Sequence, residues 1–402
     1  MLRTRRGFFD VITGGGSSGG TAALLAARGH EAYVAELQAQ RRTARPPLPP
    51  GVSEIRLSSN ENPLGPGRKV LEAIEKKFPE AGRYPFNSTP ADSNLVAAIA
   101  SLHKVKPENV VLGAGSQEIL KNAVRAFTSP QRGLVTASPT FENPTSTVKR
   151  LGHPVKEVPV DSEFRLDAGG MLAAAPGAGL VFFNNPNNPT ATVHGAKTVA
   201  DFVAGVRKAS PETVILIDEA YHEYVTDPAY ATAVPLALET PNVIVARTFS
   251  KAYGMAGMRI GYGLGRAETI KQLARFKMPY NISVFGVAAA LAALDDPAYL
   301  AAESRRNTEV RDFTVKVLQE LGCTCTPSQG NFLFVDVHRP AKDFRDACAK
   351  HGVMVGRDFP PFEKTHARIS IGTMQEMRKA ADVFRGVLKP VTAAGRQEGL
   401  WR

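Results

Sequence analysis

The sequence predicts an α/β fold: a doubly wound, mainly parallel sheet forming a large domain, joined to a smaller α+β domain. Three observations carry that prediction. Short apolar runs recur from Val110 onward with helical patterns between them. The runs are continuous rather than alternating, as strands covered by helices on both faces require. After a long helical stretch the pattern changes to shorter strands and helices, which marks a second unit.

The order along the chain begins with Thr4-Arg5-Arg6-Gly7-Phe8-Phe9, followed by a Gly/Ala-rich stretch over 11–27 without Lys, Asp or Glu. This resembles a twin-arginine export signal, although Asp10 stands where a basic residue is common. Residues 1–45 are therefore expected to be an export signal and linker, and the protein to be periplasmic or secreted, otherwise cytoplasmic. The same residues fit a second pattern, a glycine fingerprint for dinucleotides at Gly14 to Gly19, with Glu36 at the distance of a ribose contact. Such a unit has to continue into further strands, whereas 41–50 holds four prolines and no strand pattern.

Residues 46–85 precede any strand of the large sheet and are expected to pack on the small domain. The large domain is expected over 86–295. Its strands read at 110–112, 133–136, 180–183, 214–217, 243–246 and 260–263, with helices such as 117–127 and 197–209 between several of them. The small domain is expected over 296–402, with a helix at 303–321, a strand at 331–337, a helix at 341–351, a strand at 367–371 and a last helix.

Composition limits the function. The chain has 402 residues, 43% hydrophobic and 22% charged, which excludes a disordered tail, a collagen-like repeat or a small disulfide scaffold. The 49 Lys and Arg against 38 Asp and Glu leave +11, but the excess is diffuse apart from the first 46 residues. No basic run interleaved with aromatics occurs, so no nucleic-acid partner is expected. Cys323, Cys325 and Cys348 are too few for a disulfide framework, and no Cys/His set has zinc spacing, so no metal is expected. No run of 18 apolar residues exists, and the mature form is expected to be soluble without a membrane anchor.

Four strand ends carry chemistry. After the run at 243–246 comes Thr248-Phe249-Ser250-Lys251-Ala252-Tyr253-Gly254, with Arg259 close behind: a lysine between a hydroxyl and a guanidinium at the edge where α/β sheets bind ligands. The run at 214–217 ends in Asp218-Glu219-Ala220-Tyr221, an acid that is costly to half-bury unless a cation meets it. The run at 180–183 ends in Asn184-Asn185-Pro186-Asn187-Asn188-Pro189, a rigid turn with amides. The run at 110–112 ends in Gly113-Ala114-Gly115-Ser116-Gln117, a glycine turn opening a helix whose free N–H groups suit a phosphate. Each alone has a plain structural reading: a common turn, a salt-bridge acid, a solvated lysine. Together, a phosphate cradle, an acid, an amide and a lysine describe a site for pyridoxal 5′-phosphate.

With Asn60-Glu61-Asn62-Pro63-Leu64-Gly65-Pro66 near the start and Arg368-Ile369-Ser370-Ile371-Gly372-Thr373 near the end, the motifs resemble those of the fold-type I pyridoxal-phosphate-dependent aminotransferases. Within them the likeness is to the histidinol-phosphate aminotransferase-like group, over 55–388. The resemblance implies that Lys251 forms the Schiff base and shuttles the substrate proton. Asp218 then faces the pyridine nitrogen and keeps it protonated, an ion pair of about 4 kcal/mol at an effective dielectric near 20. Tyr221 and Asn188 bond the cofactor's phenolic oxygen, and Phe141 stacks on its ring. Gly115, Ser116, Gln117, Ser250 and Arg259 meet the phosphate, joined by Tyr84 of a second subunit in a homodimer with shared sites.

By the same resemblance Arg368 holds the substrate's carboxylate in a two-pronged bond, with Asn331 lining that pocket and Arg357 adding a second cation. A surface charge at a strand edge is the plain alternative for Arg368. Phe141 lacks the second tyrosine expected after it, Ala191 stands where glycine is usual, and Arg357 lies in Gly356-Arg357-Asp358-Phe359-Pro360-Pro361. These departures suggest a reshaped side-chain wall and an aromatic or cationic amino acid as preferred donor. The expected function is transfer of an amino group between an L-amino acid, or histidinol phosphate, and a 2-oxo acid. A lyase, cyclase or racemase on the same scaffold and a cofactor-binding protein without turnover are the alternatives.

Overall fold

The protein is described by a computed structural model over residues 54–84 and 90–388, and the export-signal and dinucleotide readings of residues 1–45 lie outside the described residues. In chain order the elements are β1 (Ile55–Leu57), α1 (Arg68–Glu75), α2 (Pro90–His103), β2 (Val110–Gly113), α3 (Ser116–Phe127), β3 (Leu134–Ser138), α4 (Asn143–Arg150), β4 (Val155–Pro159), α5 (Ala168–Ala174), β5 (Leu180–Asn184), α6 (Ala196–Ala209) and β6 (Val214–Asp218). Then follow α7 (Val234–Glu239), β7 (Val243–Thr248), β8 (Gly261–Gly265), α8 (Ala267–Ala274), α9 (Val284–Leu294), α10 (Pro297–Glu320), β9 (Thr324–Cys325), β10 (Phe332–Asp336), α11 (Ala341–Lys350), β11 (Val353–Val355), β12 (His366–Ser370) and α12 (Met374–Leu388).

The large sheet has the order β2-β8-β7-β6-β5-β3-β4, with β8 alone antiparallel to its neighbours. Every residue of β5, β6 and β7 is buried, which explains why they read as unbroken apolar runs. Successive side chains serve opposite faces. Phe183, Ile217 and Val245 belong to one core cluster, while their neighbours Phe182, Leu216 and Ile244 join Leu120 and Val124 of α3 in another.

Two features of the sheet escaped the sequence pattern. In β4 only Val158 is buried, because an edge strand needs just one covered position, so no apolar run announces it. The opposite direction of β8 is a matter of hydrogen-bond pairing and leaves no periodic trace. The helix expected at 303–321 begins six residues earlier, at Pro297, behind an Asp296 side chain that accepts the Tyr299 amide. Proline at the first helical position removes only an amide that lacks a partner anyway.

A three-stranded antiparallel sheet, β12-β10-β9, and the parallel pair β1-β11 form the smaller assembly. Leu333, Val335, Phe344, Ile369 and Phe384 make its core. The segment before the large sheet divides between the two cores. Ile55 and Leu57 of β1 enter the small one, whereas α1 lies on α9 and its Val70 enters the large one. Among the described residues no single helix is long and apolar enough to cross a membrane.

Candidate active site

Parallel register gathers the motif-bearing strand ends. Asn184 of β5 pairs with Asp218 of β6, and Asp218 with Ala246 of β7. The turns at Asn185 to Thr190, Glu219 to Tyr221 and Phe249 to Lys251 therefore leave one edge of the sheet. Gly113, at the end of β2, pairs with Gly261 of β8 and brings Gly115 to the same edge.

Gly115 caps α3 with φ +76°, the left-handed region that glycine enters without strain. A Cβ there would clash with Arg259 Nη2, so the guanidinium lies directly over the turn. Arg259 Nη1 donates to Ser250 Oγ at 3.3 Å and to the Ala256 carbonyl at 2.9 Å. The Glu118 carboxylate accepts the Ala114 amide at 2.6 Å and the Asn281 amide group at 2.7 Å. The amides of Ser116 and Gln117, the hydroxyl of Ser250 and the guanidinium thus converge on a glycine-walled hollow, the donor set a phosphate requires.

Beside it, Asp218 is 2% exposed and its Oδ1 has no hydrogen-bond partner. Burial pushes its carboxyl up to about 7, against a backbone bond from Ala220 and the Lys251 charge, which lower it. A buried acid with an unanswered oxygen calls for a cationic N–H. Lys251, half-buried, donates to the Ser59 carbonyl at 3.2 Å and lies 5.6 Å from the centre of the Tyr221 ring. Burial first, and then Arg368, press its ammonium down to about 8. The Tyr221 hydroxyl accepts from Asn60 Nδ2 at 3.1 Å, and burial raises it to about 12, so it stays protonated as a donor. Cradle, orphaned acid and softened lysine fit pyridoxal 5′-phosphate.

Arg368, on β12, crosses from the small sheet to this edge and is 7% exposed, which rules out a surface charge. Its Nη1 donates to Asn188 Oδ1 at 2.7 Å and its Nη2 to the Ser58 carbonyl at 2.6 Å, while Nε has no partner. Burial lowers it to about 10, so it remains a cation at neutral pH. The guanidinium lies 4.8 Å from the Phe359 ring centre, and that of Arg357 lies 4.3 Å from the same ring. Arg357 Nη2 meets Glu142 Oε1 at 2.5 Å. Asn331 is fully buried, its Nδ2 bonded to the carbonyls of Asn60 and Glu61 at 3.1 and 3.3 Å and its Oδ1 without a partner.

Phe141 is half-buried against the face of the sheet that carries α3. Tyr84 is 73% exposed and packs on Tyr280 with ring centres 5.3 Å apart.

Sequence reasoning missed the residues that hold these groups still. Asn60, buried with φ 53°, donates through its backbone amide to Ser370 Oγ at 2.8 Å, accepts the Ser370 hydroxyl at 2.8 Å and donates to Tyr221, so one side chain joins β12 to the end of β6. The motif at Asn60 to Pro66 signalled it, since asparagine tolerates the left-handed region better than most residues. Asn187 accepts from Thr140 Oγ1 at 2.7 Å and donates to Thr190 Oγ1 at 2.9 Å, tying the turns after β3 and β5. Behind Asp218, buried Arg247 pairs with Glu219 at 2.8 Å, and Glu219 also accepts the Ala233 amide at 2.6 Å. A second acid following Asp218 was the only hint of that clamp.

Comparison with known proteins follows the same lines. Residues 52–384 match the family described as aminotransferase class I and II. A histidinol-phosphate aminotransferase 2 of Methylococcus capsulatus is 37% identical over 344 residues, covering 84% of this chain and 90% of that one. A histidinol-phosphate aminotransferase of Moorella thermoacetica is 34% identical over 340 residues, covering 83% and 85%. The structure of histidinol-phosphate aminotransferase from Sinorhizobium meliloti in complex with pyridoxal-5′-phosphate is similar with a TM-score of 0.77, at 30% identity, over 84% of this chain and 91% of that one.

Proposed function

The chain belongs to the class I and II aminotransferases and is a pyridoxal-phosphate-dependent transaminase, and on that premise we propose how its residues divide the work and which donor they favour. The observation that carries the reading is the buried Asp218 oxygen without a partner, one strand away from Lys251. The cofactor, when bound, supplies an electron sink for the donor's Cα carbanion. Asp218 receives the ring N–H and holds its proton there. Ser116, Gln117, Ser250 and Arg259 hold the phosphate, Phe141 supplies the aromatic face, and Tyr221 donates from its protonated hydroxyl. Lys251 Nζ is the point of covalent attachment and, once free, the base that takes the Cα proton; its pKa near 8 suits that role. Arg368 binds the donor's anion, and Asn331 walls the pocket.

Histidinol phosphate, the substrate named in the relatives, carries a phosphate ester where an amino acid carries its carboxylate, and Arg368 serves either anion. One observation favours a free amino acid over the phosphate ester: the second cation, Arg357, is already paired with Glu142; the preference for an aromatic or cationic side chain rests on the sequence departures around Phe141 and Phe359. Such a donor is expected to exceed histidinol phosphate in kcat/KM. Side-by-side steady-state kinetics check this, and a tenfold preference for histidinol phosphate reverses it.

We further propose a homodimer. Leu64, Leu71, Phe78, Met278, Tyr280 and Tyr84 are each about half exposed or more, an apolar surface of the kind a second copy covers. Sedimentation velocity of the purified chain tests it. Export by the Arg5-Arg6 signal is proposed on sequence alone, and a reporter fused to residues 1–45 that ignores the Arg5→Lys, Arg6→Lys double change would remove it.

A further inference from the structure

Next to the donor pocket is a cavity of about 240 Å³ between the end of β3, the start of α4 and the loop at 356–361. Glu142, Lys149, Arg357, Phe359 and Pro360 line it. Lys149 is held by Glu157 at 2.7 Å. Glu142 and Arg357 are paired at this cavity, joining the start of α4 to the loop that precedes Arg368, and each is about half exposed. Phe359 is buried, and both Arg357 and Arg368 lie against its ring. The two guanidinium groups are therefore neighbours on one ring, and the charges of both Arg357 and Glu142 are felt at Arg368.

Resting on the transaminase reading, we propose that Glu142 is a specificity-determining residue, which discriminates between carboxylate and phosphate donors by competing for Arg357. A carboxylate has one charge and two oxygens and is satisfied by Arg368 alone. A phosphate monoester has up to two charges and three oxygens, and its phosphorus sits two bonds further from Cα. It needs a second cation, and the next one along Phe359 is Arg357. That cation is engaged, so a phosphate must displace a carboxylate and remain beside it, like charge against like. A carboxylate donor leaves the Glu142–Arg357 pair intact.

Histidine and histidinol phosphate separate the effect cleanly, since they share an imidazole side chain and differ only at the anion. In the holoenzyme, Glu142→Gln is expected to raise the ratio of kcat/KM for histidinol phosphate over that for histidine by about threefold to fivefold, the scale of a half-exposed ion pair. The change should appear in KM for histidinol phosphate with kcat held. Glu142→Asp should return the ratio toward the wild-type value, and the gain should vanish in the Glu142→Gln, Arg357→Gln double variant. Equal changes for both donors, or a shift carried by kcat, would mean a structural role and overturn the proposal while transamination stands. Absence of turnover with every donor would defeat the transaminase reading and this proposal with it.

Discussion

Lys251→Ala is expected to abolish transamination, with turnover reduced by at least about four orders of magnitude, because one side chain is both the attachment point and the proton carrier. The variant should still bind the cofactor through the cradle around Gly115, now without a covalent link, and dialysis should remove it. A fully active variant would exclude Lys251 from the reaction. The wild-type lysine has a further signature. Its ordinary pKa near 10.5 is depressed to about 8, so the free-amine fraction in cofactor-free protein rises from pH 7 and is nearly complete by pH 9. The rate of covalent attachment of added pyridoxal phosphate to cofactor-free protein should follow that curve. A rate still climbing between pH 9 and 10.5 would show that burial does not soften the lysine.

Asp218→Asn is expected to lower kcat/KM by about two to four orders of magnitude while the cofactor stays bound, since removing a charge preorganised against developing charge costs on that scale and the phosphate contacts are untouched. Stability supplies an independent reading. In cofactor-free protein the Asp218 carboxyl is raised from about 3.8 to about 7. The folded state then holds a proton that the unfolded state has released, so stability is present below pH 4 and is lost as pH rises toward and through 7. Asparagine carries no such penalty. The Tm of cofactor-free Asp218→Asn should exceed that of the wild type at pH 8, and the two should converge as pH falls toward 4. Equal Tm values at pH 8, together with unchanged turnover, would remove Asp218 from the site.

The parts of this molecule that were legible in its sequence are those where one face of physics dominates. Strands such as Val214–Asp218 are buried on both sides, so burial alone writes their pattern, and the chemistry follows at their ends, where Asp218 and Lys251 interrupt it. Long-range polar contacts leave no such pattern. Asn60 reaches Ser370 across 310 residues and Arg368 reaches Asn188 across 180, and neither spacing has a period. Glu142 was visible only as a departure after Phe141; its partner Arg357 is more than two hundred residues away and meets it through the fold. β4 was lost for a different reason, since a strand with a single buried residue cannot be told from a loop.

The bond between Arg368 and Asn188 joins a residue that would grip the donor to a turn that would grip the cofactor. Fixing one therefore prepares the other, and thermodynamic linkage makes the debt mutual: the factor by which bound cofactor tightens a carboxylate ligand equals the factor by which that ligand tightens the cofactor. A carboxylate ligand that binds without reacting then protects the loaded enzyme against dilution of its cofactor. Conversely, protein depleted of cofactor loses affinity for the donor as well as the means to react with it, and so withdraws from competition for a scarce amino acid instead of sequestering it.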